Sequence, residues 1–221
     1  MNYLSFSLWG DKPLYNVGAI RNSELINSIY PNWKMILYYD NTVPKDTIDQ
    51  LVGNNVICID MTDSIIYGPF WRFLACDLTD AEYVCLRDCD SRISEREYLA
   101  VKEWIESSKT LHVMRDHPGH RIPFGNDRPG ILAGMWGINA KKIQMTEMVI
   151  EFNSNRRLSY GADQTFLKEI YNTFKNDRLI HDEFSEETPF PIKRENGRFI
   201  GERINIDEQP LTNDHLALLR N

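Results

Sequence analysis

The chain contains no run approaching the roughly 20 consecutive apolar residues that a helix needs to cross a bilayer, so no integral membrane segment is expected. It is poor in cysteine. Only Cys58, Cys76, Cys85 and Cys89 occur, none in a CxxC pair, which argues against a disulfide scaffold or a cysteine-based zinc site. Three of the four lie in apolar runs, and all are expected to be reduced thiols packed as small hydrophobes in a cytoplasmic protein. Positive charge is also short. Lys and Arg number 25 against 32 Asp and Glu, a net charge of -7, which disfavours a nucleic-acid surface but leaves room for one phosphate-sized basic pocket. There is no internal repeat and no low-complexity segment. The opening MNYLSFSLWGDKP lacks a basic region followed by a long apolar run, so it does not read as a signal peptide.

What is present suits one generous domain. The 221 residues are 42% hydrophobic and 26% charged, enough to bury a core without disulfides. Apolar runs at 3–8, 34–39, 55–59, 83–86, 111–114 and 131–139 predict strands. Helical spacings predict helices at 17–29, after Pro44 as far as Gly53, at 70–78, at 141–152 and at 162–174. Ser94 and Glu97 read as a capping box for a helix carrying Tyr98, Val101, Trp104 and Ile105. In the 70–78 segment, a 100° wheel puts Phe70, Trp71, Phe73, Leu74 and Leu78 on one side and Arg72 opposite. The stretch 116–130 reads as a Pro- and Gly-rich loop, and the polar tail from Phe184 onward as a surface wrap or mobile flap. Alternating strands and helices imply a three-layer α/β/α fold with a mixed, mostly parallel sheet, whose ligands sit beyond the carboxyl ends of the strands.

Asp40, Asp60, Asp88 and Asp90 all fall at such ends. Asp88 and Asp90 flank Cys89, and residues two apart in extended chain project to one side. Two adjacent carboxylates repel unless something compensates, and a hard divalent cation does so naturally. Turn formation and capping of the Ser94 helix account for the same residues without a metal.

The segment FWRFLACDLTDAEYVCLRDCDSR resembles the DxD region of GT-A glycosyltransferases, especially the small single-domain enzymes of large viruses and bacterial surface-polysaccharide clusters. The likeness extends, in order, through FSLWGD, RDHPGH, GMWGIN, YGADQTFL, HDEF, PFPIKR and FIGE. The resemblance implies a Rossmann-like GT-A domain with a nucleotide-binding half at 1–115, an acceptor- and sugar-binding half at 116–183, and a tail or flap at 184–221. It implies transfer of a sugar from a nucleotide-sugar, foremost a UDP-sugar, to a glycan hydroxyl, with Mn2+ or Mg2+ as cofactor.

By that resemblance Asp90 binds the metal, Asp88 is its nucleotide-side partner, and His181 adds a ligand, with Asp182 a weaker candidate. Ser7, Leu8, Trp9, Asp11 and Tyr15 line the base and ribose, with Asp40 nearby and Arg72 against the diphosphate. Asp163 sits near the transferred sugar, as general base in an inverting enzyme or as a sugar or charge holder in a retaining one, with Gln164 beside it. A solvated Arg72, a helix-capping Asp163 and a half-buried His181 are the bland alternatives. Trp136 beside Gly137 reads as a sugar platform or as core, and Asp116 and His120 as contacts to sugar hydroxyls. Lys193 and Arg194 read as a basic pair closing over the diphosphate, or as solvated. Two other functions fit parts of the pattern: a non-catalytic nucleotide-sugar or glycan-binding module, and a phosphatase of the haloacid-dehalogenase type. In the latter the DxD normally follows the first strand, and here Arg92 stands where a Thr or Val is usual.

Overall fold

The computed structural model describes residues 1–120, 130–154 and 159–211. Seven strands form one sheet: β1 (Asn2–Leu8), β2 (Trp33–Tyr39), β3 (Ile57–Asp60), β4 (Tyr83–Arg87), β5 (Leu111–Arg115), β6 (Met135–Asn139) and β7 (Arg178–Asp182). Their order is β3-β2-β1-β4-β6-β5-β7. Pairing is parallel except for β6, which runs antiparallel to both β4 and β5. Helices α1 (Pro13–Ile29), α2 (Lys45–Gly53), α3 (Glu95–Glu106), α4 (Met145–Ser154) and α5 (Ala162–Thr173) complete the frame.

The period-2 alternation of the strands sorts two cores. Leu4, Phe6, Leu8, Met35, Leu37 and Cys85 point to the α1–α2–α3 side. Tyr3, Ile36, Tyr38, Val84, Leu86 and Trp136 point to the side covered by α4, α5 and a 3-10 segment, Gly68–Asp77. These are the expected three layers. Chain order reverses between β1 and β4, so the carboxyl ends of those two neighbours flank a crevice.

Several elements depart from the sequence expectation. The 70–78 segment is not an α-helix. It has three residues per turn, so Phe70, Phe73 and Cys76 stack in one buried row, and Arg72 turns into the protein rather than out to water. Strand β3 starts at Ile57 because Asn55 takes a left-handed φ of 64° after α2. Strand β6 starts only at Met135, since the Gln164 side chain bonds the backbone of 131 and 133 outside the sheet. The Ser94 hydroxyl caps α3 through the Glu97 amide at 3.3 Å, but the Glu97 carboxylate turns inward to Tyr30 and Arg87 instead of closing the box. Strand β7 is not among the strands that the apolar runs predict, because Arg178–Asp182 holds only Leu179 and Ile180 as apolar residues. The described part of the tail packs on the domain: Phe190 and Ile200 are buried in a third cluster with Ala100, Met114 and Met135. The expected loop at 121–129 and the tail end at 212–221 lie outside the described residues.

One glycine sets the sheet's fit to α3. A Cβ on Gly137 would lie 2.8 Å from the Trp104 ring and 3.1 Å from Cys85 Sγ. Gly137→Ala is therefore expected to destabilise the chain by about 1–3 kcal/mol through overpacking. A urea midpoint indistinguishable from the parent's would show that Trp104 yields without cost.

Candidate functional site

The site grows from one buried side chain. Ser5 and Ser7 share a face of β1, and both hold Arg72: Ser5 Oγ donates to Arg72 O at 2.7 Å, and Arg72 N donates to Ser7 Oγ at 2.9 Å. Phe6 between them goes to the opposite core. The fixed Arg72 backbone aims its guanidinium at the end of β4. Nη1 donates to Arg87 O at 2.9 Å and pairs with Asp88 Oδ1, while Nη2 pairs with Asp163 Oδ2 at 3.2 Å. Burial works to lower the Arg72 pKa, but the charges of Asp88 and Asp163 more than offset it, so the net shift is upward.

Asp163 opens α5, as expected, and faces this guanidinium. Burial raises its pKa, Arg72 opposes the rise, and the Asp88 charge adds to it. Asp88 keeps 49% of its side chain exposed, whereas Asp90 keeps only 12%. Burial and then the Asp88 charge raise the Asp90 carboxyl, against a hydrogen bond from Arg203 Nε at 2.7 Å. The turn that carries both is clamped from α1. A Cβ on Gly18 would sit 1.9 Å from Cys89 O, and Asn22 bonds Ser91 O and the Ile93 amide at 2.8 and 3.0 Å. Gly134 leaves room for Asp88 itself, whose Oδ2 is 2.1 Å from where a Cβ would be.

Asp88, Asp90, Asp163, Arg72 and Tyr15 are thus brought together, Tyr15 lying beside Asp90 and Arg203. The strand-end loops are also knit to each other. Gly10 N donates to Thr42 Oγ1 at 2.6 Å, and Asp40 holds Thr42, which sets Trp9 and Asp11 beside the 40–42 turn. The Trp9 indole is 47% exposed and meets Trp71 edge-on.

Other expected residues lie elsewhere. The Ser7 hydroxyl is engaged by Arg72, and Leu8 is core. Trp136 is no sugar platform: it is fully buried against Phe73, its indole donating to Ala133 O at 3.1 Å. Gly137 lies under Trp104, and both ends of the Gln164 amide are engaged by backbone. Asp116 is fully buried between Arg96 and Arg194, at 2.8 and 2.7 Å, so neither Asp116 nor Arg194 is free for sugar or diphosphate. His120 accepts from the Asp116 amide at 3.2 Å. Lys193 borders a cavity of about 240 Å³ between the start of α3 and the tail, with Arg92, Ser94, Arg96 and Phe199. The site residues that sequence reasoning missed are Ser5, Gly18, Asn22 and Arg203. Only the Ser-Phe-Ser alternation in β1 offered a local signal.

His181 is also displaced from its expected role. Parallel pairing puts it opposite Met114 on β7, fully buried. Its Nδ1 lies 2.8 Å from His112 Nε2 and its Nε2 lies 3.0 Å from Glu103 Oε2, so both ring nitrogens are engaged. Among the described residues no group of three or more His, Cys, Asp or Glu is placed to hold a metal. The carboxylate pair itself still fits a hard cation. Asp88 is half-exposed and its charge raises the Asp90 carboxyl, even with Arg72 and Arg203 paired to the two, so a hard cation would be complementary here. Phosphate oxygens and water would have to complete the shell.

No protein-family model and no curated protein matches this chain. Solved structures do. The fold is that of GT-A proteins, an α/β three-layer arrangement with a mixed, mostly parallel sheet. The chain is similar to the galactosyltransferase LgtC in complex with donor and acceptor sugar analogs, at a TM-score of 0.50 and 14% identity over 82% of this chain and 73% of that one. It is also similar to glucosyl-3-phosphoglycerate synthase from Mycobacterium tuberculosis in complex with Mg2+ and uridine-diphosphate, at 0.50 and 12% over 81% and 69%. The same synthase with Mn2+ and UDP-glucose matches at 0.50 and 14% over 81% and 68%. At these identities the likeness speaks for the fold.

The histidine pair generates a pH prediction. Burial and then the His181 charge lower the His112 pKa well below the ordinary 6.5. Burial lowers that of His181, with Glu103 opposing and Arg96 adding. Both native pKa values lie below the unfolded one, so the unfolded chain binds more protons as pH falls. The stability from the neutral pair is complete above pH 6.5 and drains below it, by up to about 1.4 kcal/mol per pH unit for each histidine. Urea melts from pH 7.5 to 5.5 check this, together with imidazole 15N shifts. Native-state titration of both rings near 6.5 would contradict it.

Proposed function

We propose that the chain is a metal-dependent glycosyltransferase that moves a sugar from a nucleotide-sugar, foremost a UDP-sugar, to a glycan hydroxyl. The observation that carries the proposal is the Arg72 fork between Asp88 and Asp163, at the point where strand order reverses, with Asp90 beside it. The structural neighbours add support, since two of them are described in complex with uridine-diphosphate or UDP-glucose and a divalent metal.

In this reading Asp88 and Asp90 would hold Mn2+ or Mg2+, which when bound supplies neutralisation of the diphosphate leaving group as a Lewis acid. The chain's own residues do the positioning. Arg72 ties Asp88 and Asp163 to one point, because its buried charge pairs with both. Trp9 offers an exposed aromatic edge to a base near the end of β1. Asp163 faces the crevice from the start of α5, with a proton affinity raised by burial. A carboxylate so tuned is suited to accepting the acceptor's hydroxyl proton, or to steadying positive charge on the sugar.

Asp90→Ala is expected to weaken Mn2+-dependent UDP binding at least roughly 100-fold, a scale reached even when an outer-shell partner of a metal is lost. Calorimetry with UDP, with and without MnCl2, measures it. Undiminished binding would refute the metal assignment. Release of free sugar from a UDP-sugar without acceptor separates an enzyme from a mere binder, and a thermal-shift panel of donors picks out the nucleotide-sugar.

A further inference from the structure

The tail reaches the carboxylate cluster through the Arg203 side chain. Arg203 Nε donates to Asp90 Oδ2 at 2.7 Å. Backbone reinforces the contact: Ser91 and Arg203 form an antiparallel bridge, and Ile204 N donates to Asp90 O at 2.8 Å. The chain then folds back on itself. Leu211 N donates to Arg203 O and Asn205 N to Gln209 O, both at 2.8 Å. Glu208 ties the tip of this hairpin to Arg92 at 2.9 Å and to Arg21 at 3.9 Å.

The Arg203 side chain is 47% exposed, so it can swing into solvent without opening a cavity. Asp90 is nearly covered, and one of its two oxygens already accepts from a cation. A guanidinium and a metal ion compete for the same lone pairs, and they repel each other at one carboxylate. Half-exposed ion pairs are weak enough to be exchanged in this way.

We propose that Arg203 is a resident counter-ion of Asp90 that an incoming divalent cation must displace. The residue then sets the cation affinity of the Asp88–Asp90 pair and couples cation binding to loosening of the 203–211 hairpin. This rests on the metal role assigned to that pair above. It differs in having a readout in the tail that a bare metal site would lack.

The test uses the full chain and MnCl2 alone. Calorimetry compares the parent with Arg203→Gln and Arg21→Gln, and hydrogen exchange follows the Ile204 amide with and without Mn2+. Arg203→Gln is expected to bind Mn2+ about tenfold more tightly, the scale of one charge-assisted hydrogen bond. Arg21→Gln removes a nearby charge that does not touch Asp90, and should stay within about twofold of the parent, as expected for an exposed pair. In the parent, Mn2+ should speed exchange at Ile204. Equal affinities for Arg203→Gln and the parent, equal tightening by Arg21→Gln, or unchanged exchange at Ile204 overturns the counter-ion role and leaves the metal site standing. Failure of every protein to bind Mn2+ overturns both.

Discussion

A buried guanidinium organises this molecule's sheet edge. Arg72 lies inside the protein, and an uncompensated charge there would cost several kcal/mol. Its compensation comes from two places far apart in sequence: the end of β4, with the carbonyl of Arg87 and the carboxylate of Asp88, and Asp163 on α5. Its backbone is held at both polar atoms by Ser5 and Ser7 of β1. Folding that satisfies one arginine therefore brings two carboxylates to one point, and it does so before any ligand arrives.

The result is an excess of negative charge at a crevice. Asp88, Asp90 and Asp163 face Arg72 and the half-exposed Arg203, so the cluster retains carboxylate character that a hard cation complements. Glycines supply the space. At Gly18 a side chain would collide with the Cys89 carbonyl, which is backbone and cannot swing aside, so α1 approaches the aspartate turn more closely than any other residue permits. Gly134 leaves space for the Asp88 side chain, and Arg87 Nη1 holds the Gly134 carbonyl at 2.7 Å. The buried Arg87–Glu97 pair behind it, with the Tyr30 hydroxyl donating to Glu97 at 2.7 Å, locks the end of β4 to α3.

What the sequence disclosed was what local pattern encodes. Alternation in the strands and the acidic residues at their ends point to the sheet edge that carries the candidate site, and DxD with Asp163 names the three carboxylates that the structure places around Arg72 and Arg203. Arg72 was harder, because a 100° wheel points it to solvent, whereas the actual three-residue turn points it inward. His181 was misassigned because β7 is short and partly polar. Only its pairing with β5 reveals that the ring meets His112. Trp136 and Gly137 illustrate a true ambiguity: a glycine-flanked aromatic in an apolar run serves a ligand platform or a core equally well, and here it is core. Asp116 and Arg194 form their contacts 78 residues apart, a separation at which spacing carries no information.

The tail's two attachments differ in a way that bears on its behaviour. At its base, Asp116 is fully buried and bonded by Arg96, by Arg194 and by the Ile200 amide at 2.9 Å, with Glu183 completing the network. Breaking one member would strand a buried charge, so that end is fixed. Further along, the side-chain ties are the Arg203–Asp90, Arg92–Glu208 and Arg21–Glu208 pairs, each with a partly exposed partner that water can solvate. Contacts with an exposed partner open at lower cost than those among fully buried charges. Arg203, at the base of the 203–211 hairpin, is the part in contact with Asp90, so a half-exposed contact of the tail coincides with the carboxylate on which the proposed chemistry depends.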